Sequence, residues 1–80
     1  MSHTGETYST TDLELASYLL AKGSALLESS RELNKTRFTL QASSDQAMRY
    51  FHGEDTVSAR ALFSAWRSLR TLIEEQRRSR

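Results

Sequence analysis

From Leu62 to Ile73 the apolar side chains of this chain recur with a helical period and fall on one arc. At 100° per residue, with Arg60 as zero, Leu62, Ala65, Trp66, Leu69, Leu72 and Ile73 lie between about 120° and 240°. A stripe of that width must be buried, so the rest of the chain has to offer it an apolar face. Trp66 shares the arc of the leucines and is expected in the core. Ser58 can cap this helix, and Val57 before it is placed to pack on Leu62 as a hydrophobic staple. The helix is expected to reach about Arg77 and to be the longest element.

The complementary face is readable upstream. Residues 35–42 alternate, with Phe38, Leu40 and Ala42 on one side and Arg37, Thr39 and Gln41 on the other. Residues 24–31 read as a strand less cleanly, because Leu26 and Leu27 are adjacent and only one can lead the core face. Glu32-Leu33-Asn34-Lys35 between them suits a hairpin loop, with Asn34 the residue that tolerates left-handed geometry. A hairpin with one apolar face needs helices across it to be stable.

Thr7 to Thr10 suit a short strand. Thr11 followed by Glu14 fits a capping box, with Asp12 in the first turn where the helix dipole favours negative charge. Leu13, Ala16, Leu19 and Leu20 then mark a helix over residues 12–22, closed by Gly23. Ser43 or Ser44 can cap a short second helix in which Ala47, Met48 and Phe51 face inward, ending at His52-Gly53. The expected fold is α+β: a two- to three-stranded antiparallel sheet covered by helices, in the order β-α-β-β-α-α. Residues 7–76 would form a single domain between a polar, disordered tail (1–6) and a basic end (77–80).

The chain has 80 residues, of which 38% are hydrophobic and 26% charged, an ordinary globular balance. A domain this small buries only about 60–65% of the surface its unfolded chain exposes, so its stability margin is thin. The absence of cysteine excludes a disulfide framework, a thiolate nucleophile and cysteine-type zinc sites. The opening residues lack the basic start and apolar run of a secretory signal, and no uncharged stretch is long enough to cross a bilayer. A cytoplasmic protein without a membrane partner is the expectation.

Catalysis finds little support. There is no Gly-x-Ser-x-Gly elbow, no Ser-x-x-Lys pair and no glycine-rich phosphate loop. His52 beside Glu54 and Asp55 is read as a cation at a helix C-terminus next to a solvated acidic loop, rather than as a metal ligand. His3 falls in the tail. No catalytic residue, no metal and no small-molecule cofactor is expected.

Charge is the one lopsided property. Residues 1–56 carry five Lys/Arg and eight Asp/Glu, a net −3, whereas residues 57–80 carry six Arg and two Glu, a net +4. On the last helix Arg67, Arg70, Arg77 and Arg78 fall between about 260° and 360°, joining Arg60 in one stripe with Phe63 near 300°. Guanidinium groups flanking an aromatic ring can hold phosphates and stack on a base. Three readings stay open: a nucleic-acid or nucleoprotein contact, a protein contact (homo-oligomer, adaptor or inhibitor of a host protein), and a merely solvated face.

Tyr8-Ser9-Thr10-Thr11-Asp12-Leu13, Leu19-Leu20-Ala21-Lys22-Gly23, Phe38, Tyr50-Phe51 and Ala65-Trp66-Arg67-Ser68-Leu69-Arg70 together resemble a small bacterial and phage domain family of unknown function. The resemblance spans roughly residues 7 to 75. It implies the fold expected above and carries no catalytic residues to transfer.

Overall fold

The computed structural model describes residues 6–53 and 55–78. Along them run β1 (Tyr8–Thr10), α1 (Leu13–Ala21), β2 (Leu26–Glu32), β3 (Lys35–Leu40), α2 (Ser44–His52) and α3 (Ala59–Arg78). This is the predicted α+β order. The strands form one antiparallel sheet in the order β1-β3-β2, so the short first strand completes a three-stranded sheet beside the hairpin. Most of the expected tail, residues 1–5, lies outside the described residues, as do Glu54 of the acidic loop and residues 79–80.

β3 sets the two faces of the sheet. Thr36, Phe38 and Leu40 are buried against the helices, joined by Ala42 beyond the strand. Register places Thr10 and Ser29 beside Phe38, and Tyr8 and Leu26 beside Leu40. The opposite face carries polar pairs, among them Ser9 hydrogen-bonded to Thr39 at 2.9 Å and Arg37 paired with Glu32 at 3.1 Å. The adjacent leucines of β2 are resolved by a register shift between Leu26 and Glu28. Leu26 packs on the core, and Leu27 is left half exposed.

α1 is the central element. Leu15, Ala16, Ser17, Tyr18 and Leu19 are all buried, because the helix packs on β1 and β3 as well as on α2 and α3. The buried Ser17 hydroxyl donates to the Leu13 carbonyl at 2.8 Å and so leaves no unsatisfied donor. Its N-cap is Asp12, not Thr11: the Asp12 carboxylate accepts from the backbone N–H groups of Glu14 and Leu15, while Thr10 caps Asp12. Asp and Thr are both good caps, and the short strand ahead fixes which one reaches the helix. At the far end Gly23 takes φ 107° and donates to Leu20, with Ser24 donating to Leu19, which is a Schellman closure. In α2 the Ser43–Gln46 capping box forms in both directions, and Ser58 caps α3 by accepting from Ala61.

Three other expectations are corrected. Met48 and Phe51 of α2 do not face inward: only Ala47 of that helix is buried, because a nine-residue helix docked mainly on α1 has a narrow contact line. α3 runs to Arg78, one residue past the expected helix end, so the helix continues into the first two residues of the segment read as a basic end. In the hairpin turn the left-handed residue is Leu33, at φ 56°, rather than Asn34.

Leu33 is also 97% exposed, so it makes no burial gain that offsets its backbone. A left-handed residue with a Cβ costs about 1–2 kcal/mol, and glycine removes that cost while adding about 0.5–1 kcal/mol of unfolded-chain entropy. Leu33→Gly is therefore expected to stabilise the domain by about 0.5 kcal/mol, or about 3 °C in Tm, by thermal unfolding. A lower Tm would mean that the leucine side chain is bound to something in the folded state.

Candidate functional site

The residues singled out on the last helix, Arg60, Phe63, Arg67, Arg70, Arg77 and Arg78, are all exposed on α3. They do not form one uniform row. Arg70 lies over Trp66, its Cζ 5.1 Å from the ring centroid, and pairs with Glu74 at 3.5 Å. Glu74 itself falls at about 320°, inside the arginine arc, and dilutes it. Arg77 stands apart, lining a separate cleft against the β2–β3 hairpin.

Trp66 is not in the core. The buried line of α3 runs through Ala65 and Leu69, at about 140° and 180°, and the tryptophan at about 240° sits on the edge of that arc. α1 covers the centre of the arc and leaves the edge open, so the ring is 38% exposed. Phe63, one turn earlier, is 59% exposed. Two aromatic rings therefore stand beside Arg67 and Arg70 at helical spacings of three and four residues.

The same rings help to line a cleft of about 620 Å³. Tyr18 of α1, Tyr50 of α2, Val57 of the connecting loop, and Leu62, Phe63 and Trp66 of α3 supply its aromatic and apolar surface. Tyr18 and Tyr50 are packed with centroids 5.4 Å apart and tilted, and Phe51 meets Tyr50 edge-on at 5.3 Å. Aromatic surface is thus continuous from α2 through α1 and faces the rings of α3.

Polar groups at the cleft are held by one another. The Tyr18 hydroxyl donates to Asp55 Oδ2 at 2.7 Å, Lys22 Nζ bridges to the same carboxylate at 3.1 Å, and the Thr56 backbone N–H donates to Oδ1 at 2.9 Å. Asp55 is thus not a solvated loop acid. The Tyr18 hydrogen bond, then Lys22 and the Thr56 N–H, hold its carboxyl at about 2 instead of the ordinary 3.8. Burial, reinforced by Asp55, pushes the Tyr18 phenol up, and burial with Glu14 nearby does the same for Tyr50. Engaged by three donors, Asp55 is a poor proton acceptor, and both phenols stay protonated. The cleft offers aromatic faces and hydrogen-bonding edges, with the Glu14 carboxylate at its border accepting from the Tyr50 hydroxyl at 3.4 Å. Among the described residues no group of three or more potential metal ligands converges, and no helix is long and apolar enough to cross a membrane.

The depressed Asp55 value gives stability a pH dependence of known sign. A carboxyl whose folded pKa lies below its unfolded one contributes stability that is fully present above about pH 4 and is lost as pH falls toward about 2. Asp55→Asn should therefore lower the urea midpoint at pH 6, and the gap to the parent should narrow at pH 2.5. Parallel profiles for the two proteins would show that the loop carboxylate is not linked to folding.

Sequence reasoning located Phe63 and the arginines but missed the cleft beside them. Its signals were the edge position of Trp66 and the hydroxyls of Tyr18 and Tyr50, which mark rings with one polar end. Comparison of the chain with known family descriptions, with curated proteins and with solved structures finds no match.

Proposed function

We propose that this protein is a non-catalytic binding module that takes up single-stranded nucleic acid, alone or within a nucleoprotein, on the exposed flank of α3. One observation carries the reading: two solvent-exposed rings, Phe63 and Trp66, stand among Arg60, Arg67 and Arg70 on one helix. Single strands are bound without sequence preference by this pairing, cations tracking the phosphates while bases stack on aromatic faces. In this reading Trp66 and Phe63 are the stacking platform, and Arg60, Arg67, Arg70 and Arg78 meet the backbone. The test is titration with a fluorescein-labelled oligothymidylate followed by anisotropy, repeated across salt. Binding that weakens linearly in the logarithm of salt concentration is expected. No binding even at low salt would sink the proposal.

A second reading rests on a different observation. Met48, Phe51, Phe63 and Trp66, on the two helices α2 and α3, are each at least 38% exposed, and apolar side chains left open in this way can serve as a protein contact. A protein partner or a second copy of the chain could cover them. Light scattering over a range of concentrations separates the two: a strict monomer that binds the oligonucleotide supports the first, and concentration-dependent dimers without such binding support the second.

A further inference from the structure

The hairpin tip and the last turns of α3 enclose a second cleft, of about 480 Å³, that is unlike the first. Strand register sets Arg31 opposite Thr36, on the face that looks toward the helices. Thr36 is buried and donates to Gln76 at 3.3 Å, and Gln76 in turn donates to Ser29 at 2.9 Å. This three-residue tie clamps α3 to the hairpin, and the residue after Gln76 is Arg77. Arg31 and Arg77 therefore line one opening from two elements, with Lys35, Asn34 and Thr11 around it and Leu13 and Ile73 supplying apolar surface.

Two guanidinium groups lining one cleft repel each other, and the neighbouring acids do not relieve them. Glu32 is committed through both oxygens to Arg37 Nε at 3.1 Å, on the outer face of the sheet. Glu74 is committed to Arg70. Among the described residues Arg31, Lys35 and Arg77 have no carboxylate partner. Arg31 is also held in place: its Nε donates to the Leu33 carbonyl at 3.4 Å, which leaves its terminal N–H groups for a ligand. A planar guanidinium fork matches two oxygens of a tetrahedral anion, and the Thr11 hydroxyl and Asn34 amide add neutral donors. Uncompensated positive charge in a concave, partly apolar setting focuses the field on an anion.

We infer that this cleft binds a phosphoryl group between Arg31 and Arg77. The inference goes beyond the stacking surface and does not depend on it, since Phe63 and Trp66 line a different cleft. Two sources share the chemistry: a phosphodiester of a bound strand, or a free or terminal phosphate monoester. Arg77 follows Trp66 by eleven residues, about 16 Å along the helix, so one extended strand can span both.

The test is a nitrogen-edited NMR titration of the full chain with inorganic phosphate, at constant ionic strength and with acetate as the control anion. Saturable shifts are expected for the Nε–Hε signals of Arg31 and Arg77 and the Asn34 side-chain amide, and not for Arg49. Arg77→Gln and Arg31→Gln should each weaken phosphate binding about tenfold, as loss of one charge-assisted contact does, while Arg49→Gln, on the exposed side of α2, leaves it unchanged. Shifts that grow linearly, that spread equally over all arginines, or that acetate reproduces would overturn the inference. Parallel titrations with oligothymidylate lacking and carrying a 5′ phosphate identify the source: movement at Arg31 and Arg77 with both supports the phosphodiester, and movement only with the phosphorylated form supports the monoester. Phosphate binding here without strand binding at Trp66 would leave this site standing while removing the proposed function.

Discussion

Reversing two charges, Arg67→Glu with Arg70→Glu, is expected to weaken oligothymidylate binding at least about 100-fold at low salt and to leave the domain folded. Each lost charge-assisted phosphate contact costs about 1.5–3 kcal/mol, and each introduced carboxylate adds repulsion. Salt dependence gives an independent reading. Four phosphate contacts on a single strand predict a slope near about −3 in log K against log salt, and removing two reduces it to about −1.4. The fold should survive because both side chains are exposed and Glu is nearly as good a helix former as Arg. What is lost is the Arg70–Glu74 pair, about 0.3–0.5 kcal/mol, and the stacking of Arg70 on Trp66, about 0.5–1 kcal/mol. Glu74→Lys is the complementary change, removing the acid inside the arginine arc, and should tighten binding. Equal binding by the double variant and the parent would mean that this flank does not contact the strand.

Periodicity and local chemistry carried the element order a long way. The alternation of Phe38, Leu40 and Ala42 identified the buried face of the sheet, and of the arc of Leu62, Ala65, Trp66, Leu69, Leu72 and Ile73 it is Ala65, Leu69, Leu72 and Ile73 that lie on the core side of α3. These signals are local, because a strand or a helix repeats its own side-chain direction every two or 3.6 residues. What they omit is what stands beside an element. α1 reads as a surface helix with one apolar stripe, yet it is covered on several sides, and nothing in its own spacing says that α2 and α3 both dock on it.

The same limit explains the candidate site residues. A helical wheel gives each arginine an angle but not a neighbour, so Arg77 joined the stripe on paper while strand register, 46 residues upstream, brings Arg31 into the same cleft. Asp55 looked like a loop acid because its partners, Tyr18 and Lys22, are 37 and 33 residues away in sequence. Leu33 in a left-handed turn contradicts the preference that pointed to Asn34; the two-residue connection between β2 and β3 decides the conformation, and the side chain has to accept it.

Trp66 and Leu69, one turn apart on α3, are expected to fail in opposite ways when cut back to alanine. Leu69 is completely buried at the middle of the seam, so Leu69→Ala should cost about 3 kcal/mol, lost transfer energy plus the cavity left behind. At about 0.05–0.15 kcal/mol per residue a domain of this length has only about 4–12 kcal/mol in total, so that single change removes a quarter or more of it. Trp66 lies at the rim with its outer edge in solvent and Arg70 across its face, and Trp66→Ala should cost only about 1–2 kcal/mol, less than the 3–5 of a core aromatic. Binding should show the reverse order. Loss of a stacking ring weakens a single-strand complex by about 1–3 kcal/mol, so Trp66→Ala should lose about tenfold in affinity by anisotropy, and Trp66→Phe should recover most of it. Leu69→Ala, measured at a temperature where it remains folded, should bind like the parent. If the tryptophan variant instead unfolds as readily as the leucine variant, the ring is a core residue after all, and the aromatic flank of α3 loses its stacking role.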